Sequence, residues 1–227
     1  MRLLTINIGM PRQLVIDGEV VESGIFKTPV SGDVRVGKLN LEGDRQADLA
    51  VHGGLYKAVY AYPWEHILYW RNTLERQDLG PGSMGENLTV EGLLENAIAI
   101  GDELEIGTAR LQVTQPRLPC FKLAAAVGAP DFPRRFLESR RTGFYLRVLQ
   151  KGTIRAGDEI QLCPSREREK VTIAELAELH RTKQATLQQV KRIAQLSSLP
   201  PSQKEWLARK FASLWASAPQ GADAPRG

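Results

Sequence analysis

At 227 residues, 42% of them hydrophobic and 25% charged, the chain can bury a sizeable core without disulfide staples. Its two cysteines, Cys120 and Cys163, lie far apart and its histidines number only three, which argues against a zinc site of ordinary spacing and fits a reducing compartment. No apolar run approaches the roughly 18 residues of a membrane span, and the N-terminus lacks the apolar centre of a secretory signal, so a cytoplasmic chain with no membrane partner is expected.

In chain order, Leu4, Ile6 and Ile8 alternate as in a strand, and Val15–Val20 carries the Asp17-Gly18 signature of a tight hairpin. Further strands are expected at 24–27, 33–38, 57–61, 87–90, 98–106, 110–115, Gly143–Leu149 and Asp158–Leu162. Two helices interrupt them. One follows Pro63, with Trp64, Ile67, Leu68 and Leu74 at helical spacing, and a shorter one spans Phe132–Ser139. Many short strands with close turns favour a closed or nearly closed barrel over a parallel sheet, so residues 1–163 are expected to form a mainly β domain. Ile98–Ile106 and Ile154–Leu162 echo each other around a Gly-Asp pair, which reads as convergent turn chemistry rather than duplication.

From Pro164 onward the pattern changes. Thr172 with Glu175 signals a capping box ahead of Leu176 and Leu179, and a second helix carries Leu187, Val190, Ala194 and Leu196. After the break at Pro200-Pro201, Ser202 with Glu205 signals a third, striped by Trp206, Leu207, Phe211, Leu214 and Trp215. A small three-helix domain over 164–217 is expected, with 218–227 a disordered tail. Residues 1–163 hold 19 Lys+Arg against 20 Asp+Glu, and 164–227 hold 11 against 6, so the +4 net charge belongs to the helices. That excess is too mild to point to nucleic acid, although the Arg181–Gln184 turn loosely suggests a helix-turn-helix. The helices are expected to cover the barrel or to meet a partner subunit in a homodimer.

The sharpest chemical candidate is Cys120, in Gln115-Pro116-Arg117-Leu118-Pro119-Cys120-Phe121-Lys122. Two prolines stiffen this stretch, and a helix can begin just after the cysteine. Positive charge of the kind Arg117 and Lys122 bring favours a thiolate, the form that ligates metal, and soft sulfur suits a high-valent metal. The residues alone leave a buried structural thiol equally open. A second candidate is the polar run Leu41–Gly54, too long for a simple turn, in which Arg45 and His52, with Lys57 just beyond, could together hold a phosphate. A third is Gly80–Thr89, where Glu86 and Asn87 either orient a ligand or cap the turn. In the fourth, Arg140–Val148, alternation puts Tyr145 and Arg147 on one face, so Arg147 points into a polar pocket or to solvent. Trp206, Phe211 and Trp215 read as core, and His66 and His180 as ordinary polar positions.

Taken in order, these stretches resemble the MOSC domain, named after the C-terminal domain of molybdenum cofactor sulfurases. The resemblance is carried by Gly24-Ile25-Phe26-Lys27-Thr28-Pro29-Val30, Leu41-Glu42-Gly43-Asp44-Arg45-Gln46-Ala47-Asp48 and Val51-His52-Gly53-Gly54. Gly85-Glu86-Asn87-Leu88-Thr89, the Cys120 stretch and Thr142-Gly143-Phe144-Tyr145 continue it, and the spacing is similar to the bacterial YiiM-like branch, whose chains end in a three-helix domain. The resemblance implies a MOSC-type β-barrel that binds a pterin-type molybdenum cofactor, with Cys120 as the metal ligand and catalytic sulfur. It gives Arg45, His52, Lys57, Arg117 and Arg147 a common purpose in holding the anionic pterin phosphate. The implied activity is reduction of N-hydroxylated compounds such as hydroxylaminopurines, with electrons from a reductase. The alternative is a cofactor or sulfur carrier or sensor that never turns over. Pyridoxal phosphate has also been associated with such proteins, but no lysine stands out in the sequence as its partner. One departure from the pattern is Ser139-Arg140-Arg141, where a glycine is expected before the arginine.

Overall fold

The computed structural model describes residues 1–16, 18–47 and 53–216, with the backbone alone at 215–216. The hairpin-turn residue Asp17, the predicted phosphate ligand His52 and the predicted tail 218–227 lie outside the described residues. The strands are β1 (Arg2–Ile8), β2 (Arg12–Ile16), β3 (Glu19–Ser23), β4 (Thr28–Val30), β5 (Asp33–Val36) and β6 (Val59–Pro63). Helix α1 (Trp64–Leu74) then precedes β7 (Leu88–Glu91), β8 (Glu103–Ile106) and β9 (Ala109–Pro116). Helices α2 (Phe121–Val127) and α3 (Phe132–Ser139) lead to β10 (Phe144–Gln150), β11 (Gly152–Arg155) and β12 (Ile160–Cys163). Helices α4 (Ile173–Thr182), α5 (Leu187–Ala194), α6 (Pro201–Lys210) and α7 (Ala212–Ala216) follow.

Eight strands form one sheet in the order β12-β8-β9-β10-β6-β7-β1-β4. The β6–β7 pair is parallel and has α1 as its crossover, whereas the other pairs are antiparallel. The sheet curls until its sides meet: Leu3 N–H donates to Asp158 O (2.9 Å), Gly157 N–H to Leu3 O (2.7 Å) and Ile160 N–H to Met1 O (3.0 Å). The result is the expected mainly β, barrel-like fold followed by helices. Its interior is lined by Leu3, Ile6, Val59, Leu88, Leu104, Leu111, Val113 and Leu146, all fully buried. The same apolar cluster continues without a break into Val171, just ahead of α4, and into Ile173, Leu176, Val190, Ile193 and Leu207 of the C-terminal helices. A second cluster, built from Tyr60, Tyr62, Trp70, Met84, Leu123, Phe132 and Phe136, packs under α1, α2 and α3.

Signals contained within a few residues hold in the structure. The α3 bounds match expectation, and Thr172 forms the capping box, accepting from Glu175 N–H (3.2 Å) while the Glu175 carboxylate accepts from Thr172 N–H (2.9 Å). Three expectations are corrected. Residues 24–27 form no strand, because Gly24 packs against the Arg45 carbonyl and the pairing begins only at Thr28. Of 98–106 only Glu103–Ile106 is extended, since Gly101 sits at φ 90° in a turn where Asp102 accepts from Ala99 N–H (2.7 Å). Ser202 does not cap α6, which starts one residue earlier with Pro201 in its first turn and Pro200 as cap. The echoed Gly-Asp turns do share their chemistry: Asp158 accepts from Arg155 N–H (2.7 Å) with Gly157 at φ 97°. The strands that follow them, β8 and β12, pair directly, Leu104 against Leu162.

Candidate functional site

Strand β9 ends at Pro116, and the chain then leaves the sheet edge-on through Arg117–Pro119 to α2. Cys120 is the residue before α2, in extended conformation (φ −130°, ψ 166°), with its carbonyl accepting from Leu123 N–H (3.0 Å). It is half-buried and opens onto a cleft walled by β6, β10, the Gly85–Asn87 turn and the loops at 23–27 and 45–47. The helix expected just after the cysteine is present.

The cleft is cationic. Arg45, Lys57, Arg117, Lys122 and Lys27 all reach it. Arg117 is the deepest, 5% exposed, its guanidinium lying 5.6 Å from the Tyr60 ring centre and 5.3 Å from that of Phe136. Its Nη1 is buried and has no hydrogen-bond partner among the described residues. Burial opposes that charge, yet the oxygens of Tyr60 and Tyr145 and the Cys120 sulfur hold the guanidinium above its ordinary pKa. Burial in turn pushes the Tyr145 phenol upward, with Arg117 pulling it back. Gln46 fixes the neighbouring loop by donating to the carbonyls of Lys57 (3.1 Å) and Ala58 (3.3 Å), which holds Arg45 and Lys57 on one wall.

The remaining predicted residues divide. Asn87 lines the cleft but is fully engaged: its Oδ1 accepts from Tyr60 N–H (3.1 Å) and its Nδ2 donates to Asp44 (2.9 Å). Glu86 turns away from the cleft and caps the preceding turn, accepting from Gly82 N–H (2.6 Å), Met84 N–H (3.0 Å) and the Thr89 hydroxyl (2.9 Å). Burial lifts its carboxyl to about 7, against those three donors. Arg147 shares the strand face of Tyr145 as expected, but it donates to Gln112 Oε1 (2.7 Å) beside Tyr56 and does not line the cleft. Where a glycine was expected, Arg140 takes the left-handed conformation (φ 61°) that glycine favours, at a steric cost.

Three residues of the cleft escaped sequence reasoning as site residues. Tyr60 and Tyr145 form its aromatic wall, ring centres 5.3 Å apart. Lys27 lies in the cleft with its side chain 6% exposed, ion-paired to the fully buried Asp44. Burial draws the ammonium below the ordinary lysine range, and Asp44 and Glu86 resist that shift. Only the family-like stretch Gly24–Val30 hinted that Lys27 mattered. His66 meets Glu95 (2.7 Å) and His180 meets Gln203 (2.9 Å), both away from the cleft.

Comparisons with known proteins agree on a family. Residues 48–161 match the MOSC domain. The Bacillus subtilis protein YflK, described as uncharacterized, is 43% identical over 160 residues, spanning 70% of this chain and 72% of that one. A Gibberella moniliformis protein named Reductase is 34% identical over 163 residues, 70% of this chain and 29% of its own length. The crystal structure of YiiM from Geobacillus stearothermophilus aligns with a TM-score of 0.77 at 34% identity, covering 92% of this chain and 98% of that one. Matched in sequence over half its length and in fold over nearly all of it, the chain belongs to the MOSC domain family and is YiiM-like.

Proposed function

We propose that the protein is a molybdenum-cofactor-dependent reductase of N-hydroxylated compounds, acting in the cytoplasm with an electron-donating reductase as partner. One observation carries this reading: a half-buried Cys120 sulfur shares a cationic cleft with a buried Arg117 whose Nη1 is unmet. A buried donor without a partner costs roughly 1–3 kcal/mol, a cost relieved when an anionic ligand enters. The residues therefore fit a sulfur-liganded, phosphate-bearing group. Cys120 would bind the metal, and Arg117, Arg45 and Lys57 would neutralise the phosphate. Such a group, when bound, supplies the two electrons that an N–O bond takes up on reduction. Tyr60 and Tyr145 offer a planar substrate an aromatic wall. The relative named Reductase supports a redox role.

The test is to purify the protein from a host that makes the cofactor and to measure molybdenum by elemental analysis. Cys120→Ala should lose at least about 90% of the metal, as expected when a metal loses its protein sulfur ligand. Equal metal in both proteins, or none in either, would overturn the assignment. Loaded protein that leaves a hydroxylaminopurine unreduced in the presence of reduced viologen would favour the carrier role.

A further inference from the structure

Lys27 is placed with unusual care for a surface-loop residue. Its backbone threads between two glycines: a Cβ at Gly9 would strike the Phe26 carbonyl, and one at Gly82 would lie 2.5 Å from the Lys27 carbonyl oxygen. Its Nζ is held by Asp44, and Asp44 is fixed from behind by Gly9 N–H (2.9 Å) and Asn87 Nδ2 (2.9 Å). Asp44 and Glu86 are the carboxyl groups acting on the ammonium, while Arg45, Lys57 and Arg117 share the cleft.

The pair is electrically neutral, so it adds nothing to anion attraction, which Arg45 and Arg117 already provide. What it adds is a proton that can leave. A guanidinium holds its protons at any working pH, whereas a desolvated ammonium releases one readily.

We propose that Lys27 is the proton donor of the cleft, passing its Nζ proton to the oxygen released when an N–O bond is reduced, while Asp44 holds the Nζ in place. This rests on the reductase reading. The overall change is R–NHOH plus two electrons and two protons giving R–NH2 and water, the electrons coming from the reduced cofactor. The N–O bond breaks, nitrogen gains its hydrogen from solvent, and the oxygen takes the Lys27 proton and departs as water. Solvent at the mouth then reprotonates the amine.

Two variants test it. Lys27→Arg keeps the charge and the ion pair but cannot give up a proton, and the double variant Lys27→Met with Asp44→Asn removes both charges without stranding a buried carboxylate. Both should retain molybdenum within about twofold of the unmodified protein, while reduction of 6-N-hydroxylaminopurine with dithionite-reduced methyl viologen falls about 100-fold or more. The basic limb of the kcat–pH profile should vanish from the residual activity. In cofactor-free protein labelled with 15N-lysine, a resonance missing from Lys27→Arg should titrate below the ordinary lysine range. Wild-type turnover in Lys27→Arg, a Lys27 resonance titrating as an ordinary lysine, or loss of molybdenum from both variants would each overturn the proton-donor assignment alone. A fully loaded unmodified protein without turnover would overturn the reductase reading and this inference together.

Discussion

Arg117 illustrates how a single residue can be committed to a ligand. A lysine in its place would carry the same charge but lack the planar fork that packs beside Tyr60 and Phe136 and leaves a buried Nη1 without a partner. Arg117→Lys should therefore lower cofactor retention through gel filtration by about 10-fold or more, with thermal stability little changed, because a bidentate donor is lost and not a charge. Lys27, the other residue deep in the cleft, stands out in the sequence only through the family-like stretch around it, for a physical reason. Its environment is made by Gly9, Asp44, Gly82 and Glu86, four positions spread over 78 residues, and no local pattern announces such a convergence. Cys120 and Arg117, flanked by two prolines in one short stretch, were legible because their chemistry and their rigidity sit side by side in the chain.

Helix ends show the same division between local and distant determinants. The Thr172 and Thr186 caps are written in four-residue signatures, and both form full capping boxes, the second of them, at α5, unremarked in sequence. Thr172→Ala should cost about 1 kcal/mol in urea unfolding, the usual value of such a cap. C-terminal caps carry no such signature: α1, α3 and α4 end on Glu75, Arg140 and Lys183, each with positive φ where glycine is the common choice. Lys183 is exposed, so Lys183→Gly should raise stability by roughly 0.5–1 kcal/mol by relieving the left-handed strain, less the entropy glycine adds to the unfolded chain. Strand β11 went unseen because its four residues contain a glycine and pair only with β5, a partner over a hundred residues away.

At the scale of the whole molecule, two buried groups oppose each other in pH dependence. Burial lifts Glu86 to about 7, so it contributes stability that is complete below its unfolded value near 4.5 and is lost as pH rises through about 7. Burial lowers His180 to about 4, so its contribution is complete above its unfolded value near 6.5 and is lost as pH falls through about 4. Each is worth up to about 3 kcal/mol, with opposite sign, so stability should be nearly flat between pH 4.5 and 6.5. Removing one unmasks the other: in Glu86→Gln unfolding free energy should climb with pH across that window, and in His180→Gln it should decline. Urea titrations at pH 5 and 6.5 decide this, and parallel slopes in the two variants would contradict it.

Because the strands and the C-terminal helices bury their side chains in one continuous interior, heat should dismantle them in a single cooperative event. Trp70, in the second apolar cluster, and Trp206, on α6 against the first, are natural reporters far apart in the chain. Fluorescence from variants keeping one or the other should trace coincident melting curves. Cutting away residues 164–227 would leave a sheet with an apolar flank bared to water, prone to stick to its neighbours rather than to stand alone.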